Sequence, residues 1–211
     1  MKIRMLEKRM WLVLAMLLQT GCLSMNLGGS ADRLVSYVLV DARPSMSARQ
    51  EPISTTVIIQ SQGGDPMANS LSIAYSLAPN QRELYQLSRW TERPVSALSR
   101  LLIQRLHTRG SFQSVAALGE GVGGDLGLNL VIESMYHDAT TSPGNVKLSV
   151  RADLIQRSTR ELLSRQVFNS EADLSVIGPE AVVDAMGIAV ADVFDALVPW
   201  LETETAAGLS N

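Results

Sequence analysis

The chain has 211 residues, of which 46% are hydrophobic, 18% charged and 5% aromatic, and a formal net charge of −3. That much aliphatic material furnishes the core of one ordinary domain and excludes both a large multidomain enzyme and an intrinsically disordered chain. Nucleic-acid binding is excluded on charge: from Cys22 onward 14 Lys and Arg stand against 20 Asp and Glu, with Lys147 the only lysine, so no basic cluster is available to release phosphate counterions.

Lys2, Arg4, Lys8 and Arg9 form a basic start, followed by the nine-residue apolar run Met10 to Leu18 and then Gln19-Thr20-Gly21-Cys22. A bilayer span needs roughly 20 apolar residues, so the run is too short for a retained membrane helix and matches an export signal, residues 1–21. Gly21 before the sole cysteine matches a lipobox, which makes Cys22 the expected lipidation site. Gln19 departs from the pattern, because an aliphatic residue is usual three places before the cysteine. A lone cysteine also excludes an internal disulfide. Leu23, not Asp, follows Cys22, which in the enterobacterial sorting scheme directs the protein to the outer membrane.

Residues 22–36 carry Gly and Ser without periodicity and are expected to be the lipidated N-terminus and a tether. Tyr37 to Asp41 reads as a first strand and Thr55 to Gln60 as a second, with a Pro, Ser and Arg loop between them. Leu71 to Leu77 alternates, and after Ala78-Pro79-Asn80-Gln81 the pattern resumes at Glu83 to Leu87, a hairpin. Pro94 opens a helix whose Val95, Leu98, Leu101, Leu102 and Leu106 share one face and which ends before Gly110. A short strand over Phe112 to Leu118 follows. Leu126 to His137 and Val146 to Gln156 alternate at length and are expected to pair antiparallel, with Leu162 to Phe168 as a third strand of the meander. Gly178-Pro179 opens a last helix, Glu180 to Glu202, and 203–211 is expected to be a flexible tail.

No chemistry-bearing constellation emerges. Gly119, Gly121 and Gly124 have GxGxxG spacing, but a strand follows them where a dinucleotide loop must open a helix. His107 and His137 are the only histidines; His107 suits a helix C-terminus and His137 a surface strand end. Paired-cysteine and HExxH spacings are absent, so neither a metal nor a cofactor is expected. Glu133 and Asp153 are expected on a solvated sheet face. Among the aromatic residues Trp90, beside a helix start, is the candidate anchor in the core or at a partner, whereas Arg89, Arg93 and the exposed arginine positions of the helix are expected in solvent.

The stretch from Ile73 to Leu106, IAYSLAPNQRELYQLSRWTERPVSALSRLLIQRL, carries Ile73 and Tyr75 on one strand, Leu84 and Tyr85 on the next, and Arg89-Trp90 before the helix. With Tyr37-Val38-Leu39, the Leu128 to Ile132 strand, the VRADLIQRSTRELLSRQVF hairpin and Val198-Pro199-Trp200-Leu201, it resembles the ABC-type transport auxiliary lipoproteins, the PqiC-like proteins that accompany MCE lipid-transport systems. The resemblance implies a single α/β domain of the TolB-N-terminal-like kind over 37–202, a mixed sheet with flanking helices. It also implies a non-catalytic subunit anchored at the periplasmic face of the outer membrane. There it would dock an MCE-family protein and support phospholipid transport and envelope integrity, with a homo-oligomer allowed. Two alternatives stay open on the residues alone. An independent lipid carrier would need an apolar cavity of about 300 Å³ or more between sheet and helices. An envelope hydrolase would need a polar triad in a cleft.

Overall fold

The computed structural model describes residues 33–208. Cys22, the export signal and most of the tether lie outside them. Eight strands form one mixed sheet, and among the described residues two helices cover it.

The sheet is organised on β6 (Leu126–Asp138). One edge of β6 pairs antiparallel with β7 (Asn145–Gln156) over its full length, from Leu126 opposite Gln156 to Asp138 opposite Asn145. The other edge is shared. β2 (Ile53–Gly63) runs parallel along Leu126 to Ile132, and β3 (Ser72–Ser76) takes His137 and Asp138. Between β2 and β3 the N–H groups of Gly64 and Asp65 both donate to the Ile132 carbonyl, at 2.9 and 3.0 Å. The Asp65 carboxylate then accepts from the Met67 N–H and caps a 3-10 turn over Pro66–Asn69, so the chain leaves the β2 ladder at Ile132 with these N–H groups satisfied and rejoins β6 at His137. Outward from this hub β8 (Glu161–Asp173) follows β7 and β5 (Phe112–Ala117) follows β2. On the remaining side β4 (Glu83–Trp90) follows β3 and β1 (Val35–Tyr37) follows β4. The edges are therefore β8, β5 and β1.

Alternation places Leu126, Leu128, Leu130 and Ile132 of β6 and Val146, Leu148, Val150, Ala152 and Leu154 of β7 on one face, all buried. Helix α1 (Pro94–Arg109) packs on that face over β2 and β5, and α2 (Pro179–Gly208) over β7 and β8. Pro94 supplies a preset φ where no N–H is needed, and Gly110, at φ 67°, closes α1 with its N–H on the Leu106 and His107 carbonyls. From α1, Leu98, Leu102 and Leu106 meet Val182, Met186, Val193, Phe194 and Leu197 of α2 in one continuous core. Both helices lie on the same side, and the opposite face carries charged side chains from β6, β7 and β8 together with aliphatic ones such as Ile58 and Val167.

Four expectations need correction. The alternation of Tyr37 to Asp41 is real, with Leu39 and Asp41 buried, but ladder pairing covers only Val35–Tyr37. The partner strand stops at Trp90 because α1 starts four residues later, so the rest of the segment runs extended without a neighbour. Val35 and Ser36, placed in the tether by composition, belong to β1. The tail from Thr203 to Gly208 is helical: Leu201, Glu202 and Thr205 continue the buried stripe of α2, with Thr205 fully enclosed. His137 is buried, not at the surface. Here the register shifts between Ile132 and Ser134, which switches parity so that Met135 and His137 project into the core opposite Leu148 and Val146.

Leu102 lies at the centre of this core with no exposed surface. Leu102→Ala should cost about 2 to 5 kcal/mol in a urea or guanidinium melt, with an unchanged m-value if the folded state stays intact.

Candidate docking site

The Arg89-Trp90 pair divides between two environments at the end of β4. Trp90 is buried in the core, and its N–H donates to the Leu71 carbonyl at 2.7 Å. Arg89 is exposed and donates from Nε to the Ser36 hydroxyl of β1 at 3.1 Å. The next residue, Thr91, donates its N–H to the Tyr37 carbonyl at 2.8 Å. The pair thus ties the N-terminal strand to the sheet on one side and the start of α1 to the core on the other.

Arg105 overturns the expectation of solvated arginines on α1. Its side chain has no exposed surface. Nε and Nη2 donate to the two oxygens of Asp41, both at 2.7 Å. Nη1 donates to Asp195 at 2.6 Å and to the Ala191 carbonyl at 3.3 Å, and Nη2 also reaches the Arg43 carbonyl. All five guanidinium N–H groups are thereby used, which is what a desolvated arginine requires. The cluster spreads outward: Arg43 pairs with Asp192 and Asp195, and Asp192 accepts from Ser170 of β8 at 2.9 Å. The segment around Asp41 can approach α2 because residue 187 is glycine. The Ala42 N–H donates to the Gly187 carbonyl at 3.2 Å, and a Cβ on Gly187 would come within 3.2 Å of the Val40 side chain. The stripe 98, 101, 102, 105, 106 contained the signal for a buried residue at 105, since it falls between leucines on the same face.

A second charged knot joins the far ends of the helices. Glu202 accepts from Arg109 Nε and Nη2 at 2.7 and 2.9 Å and from the Ser111 hydroxyl at 2.8 Å, with Arg49 at 3.5 Å. Burial by itself would push the Glu202 carboxyl up; the bonds from Arg109 and Ser111 and the nearby charges outweigh it and hold the carboxyl below its ordinary value. The two knots fasten the loop from Asp41 to Ile53 across both helices.

The open sheet face carries a charge lattice. Arg165 holds Asp153 through two bonds, at 2.6 and 3.0 Å, and Arg151 lies between Asp153 and Glu133 at 3.5 and 3.7 Å. Glu133 and Asp153 therefore do share that face, linked by an arginine. Near its end, Arg82 stacks 3.6 Å over the Tyr136 ring, and Lys147 reaches Asp138 at 3.0 Å. These groups border a polar cleft of about 390 Å³ lined by Ser76, Asn80, Arg82, Tyr136, Asp138 and Thr140. The Thr140 hydroxyl, against some desolvation, and then Lys147 hold the Asp138 carboxyl down to about 2. His137 makes no catalytic pairing: it joins the Tyr85 hydroxyl at 2.9 Å and the Pro143 carbonyl at 3.0 Å, and His107 joins the Val115 carbonyl at 3.0 Å. Among the described residues no group of three or more metal-ligating side chains converges, and no helix is long and apolar enough to cross a membrane. The glycine segment 119–124 is a connector between β5 and β6, with Gly119 and Gly121 at positive φ.

Two predictions follow from these charges. Arg105→Met leaves Asp41 buried and unpaired, so it should destabilise the domain by about 3 to 5 kcal/mol. The Arg105→Met, Asp41→Leu double variant should recover part of that loss in the same denaturant titration. Asp138 titrates below its ordinary 3.8 when folded, so its contribution is present above about pH 4 and is lost as pH falls toward 2. Asp138→Asn should therefore be less stable than the parent by about 1 kcal/mol at neutral pH, with the difference closing across that acid window in melts at stepped pH.

The fold is that of solved structures. A Xanthomonas campestris protein of family DUF330 matches with a TM-score of 0.74 at 16% identity, over 84% of this chain and 100% of that one. A second crystal structure, of an uncharacterized protein, matches with a TM-score of 0.57 at 16% identity, over 74% of this chain and 99% of that one. No curated protein sequence matches the chain. The family model described as the ABC-type transport auxiliary lipoprotein component matches residues 37–198, which run from the end of β1 through most of α2 and include the Arg105 knot, while Glu202 of the second knot lies just beyond. By that match the chain belongs to the ABC-type transport auxiliary lipoprotein component family.

Proposed function

We propose that the protein is a non-catalytic subunit, anchored through acylated Cys22 at the periplasmic face of the outer membrane, that holds the distal end of an MCE-type ABC lipid-transport system. The family match over 37–198 carries this reading. The basic start, short apolar run and Gly21-Cys22 junction support the anchor, since an acyl group replaces a membrane span. The packing supports a holding role over a carrying one. Leu98, Leu102, Leu128, Leu130, Val150 and Phe194 fill the space between sheet and helices with no exposed surface. The clefts that touch α1 measure about 250 Å³ each, below the size that encloses a lipid-like ligand.

Affinity for the partner need not be high, because a tethered domain meets it at raised effective concentration. The mature protein should co-purify with the periplasmic part of its MCE partner from gently solubilised envelopes, without added nucleotide or metal, and intact mass should show acyl chains on Cys22. Cys22→Ser should release a folded domain from the membrane and weaken co-purification. Repeated recovery without any MCE subunit when both are expressed would overturn the docking role and favour an independent carrier, which lipid extraction of the purified protein would then reveal.

A further inference from the structure

The edge of the sheet formed by β1 and the end of β4 combines exposed aliphatic and exposed basic side chains. Among the described residues β1 is the outermost strand on its side. Leu34 is 47% exposed, Val35 38%, Val38 53% and Leu87 44%. Val35 pairs with Ser88, which sets Leu34 opposite Leu87 across the ladder. Arg89, on the same pair of strands, is exposed and bonds only the Ser36 hydroxyl. Arg93, at the N-cap of α1, is exposed and makes no side-chain cap bond. Among the described residues neither has a carboxylate partner, a condition shared with Arg82, Arg157 and Arg160, whereas Arg43, Arg49, Arg100, Arg105, Arg109, Arg151 and Arg165 are all paired. A cationic and aliphatic edge thus stands on a body whose mature sequence is acidic.

We infer that this edge is a docking surface for an anionic phospholipid membrane, which rests on it beside the lipid anchor. Arginine with aliphatic neighbours is the composition that an anionic interface retains, because headgroup phosphates take the guanidinium while the apolar side chains enter the boundary region. Chain length agrees. Leu34 lies 12 residues after Cys22, so the intervening chain spans at most about 40 Å, and an acylated Cys22 would keep β1, the first described element, within that reach of the bilayer. A protein strand is the poorer occupant, since three residues of β1 offer too short a ladder for strand addition. The inference deepens the proposed function at its membrane end and needs the anchor at Cys22 only for proximity, not for the affinity of the edge.

The test uses two forms of the mature chain. The acyl-free Cys22→Ser form is sedimented with vesicles of phosphatidylethanolamine and phosphatidylglycerol, or of phosphatidylcholine alone. The acylated form is inserted in the same vesicles and read by amide hydrogen exchange. The acyl-free form should bind the anionic vesicles and lose binding as salt rises. Arg89→Gln and Arg93→Gln should each weaken it about fivefold, and Leu34→Ser with Val38→Ser should weaken it further. Val176→Ser with Ile177→Ser, exposed aliphatics in the loop after the opposite edge strand, should leave it unchanged. In the acylated form, amides of 34–40 and 86–93 should be protected on anionic vesicles and deprotected by the arginine substitutions. Equal behaviour on both vesicle types, or no protection of this edge in the anchored protein, overturns the inference. Protection that arises only when a protein partner is added also overturns it and makes the edge a protein interface. Missing acylation shows separately in intact mass, so failure of the anchor and failure of the edge are told apart.

Discussion

The architecture depends on one buried guanidinium. Arg105 projects from α1 into a region where water cannot reach it, and every donor it carries is met: by Asp41 before the second strand, by the carbonyls of Arg43 and Ala191, and by Asp195 of α2. A desolvated charge is costly unless paired and fully hydrogen-bonded, so these distant segments are held in a single arrangement. Hydrophobic packing of α1 and α2 on the sheet would tolerate sliding of one helix along the other. The fork on Asp41 would not, because both of its bonds are directional.

The second determinant is the behaviour of β6. Up to Ile132 it alternates regularly and pairs with β2; then the register shift turns Met135 and His137 inward and passes its free edge to β3. The step allows one central strand to carry two neighbours in succession on the same side. It generates the second half of the sheet, β3, β4 and β1. The Tyr85, His137 and Pro143 contacts close the step at its far end and satisfy both ring nitrogens of the buried histidine.

The domain commits much of its chemistry to its own fold. Its polar groups are spent on internal fastening, in the Arg105 and Glu202 knots, and on the charge lattice of the open sheet face. Its interior is closed by aliphatic side chains. What remains for function is surface: the polar cleft at the β3–β4 hairpin, the open face, and the cationic aliphatic edge. The chain's family is that of the ABC-type transport auxiliary lipoprotein component.

Much of the fold was legible in the chain. Strong alternation in 126–132 and 146–154 and the leucine stripe of α1 specify burial by period alone, and the turn residues Pro94, Gly110 and Pro179 mark helix ends by fixed backbone preferences. What tertiary structure alone decided were the features that need two distant segments. Asp41 and Arg105 lie far apart in sequence, so their pairing has no local signature, and an arginine on an apolar stripe reads as solvated until its partners are placed. The parity change at Glu133 is a single-residue shift invisible to a periodic template, and it decided the fate of His137. The end of β1 at Tyr37 was set by where its partner stopped, and the helical extension past Glu202 by a buried stripe that two threonines and two glutamates disguised in the sequence. Local preference determines which elements form; the meeting of buried charges and the supply of strand partners determine where they end and how they lock.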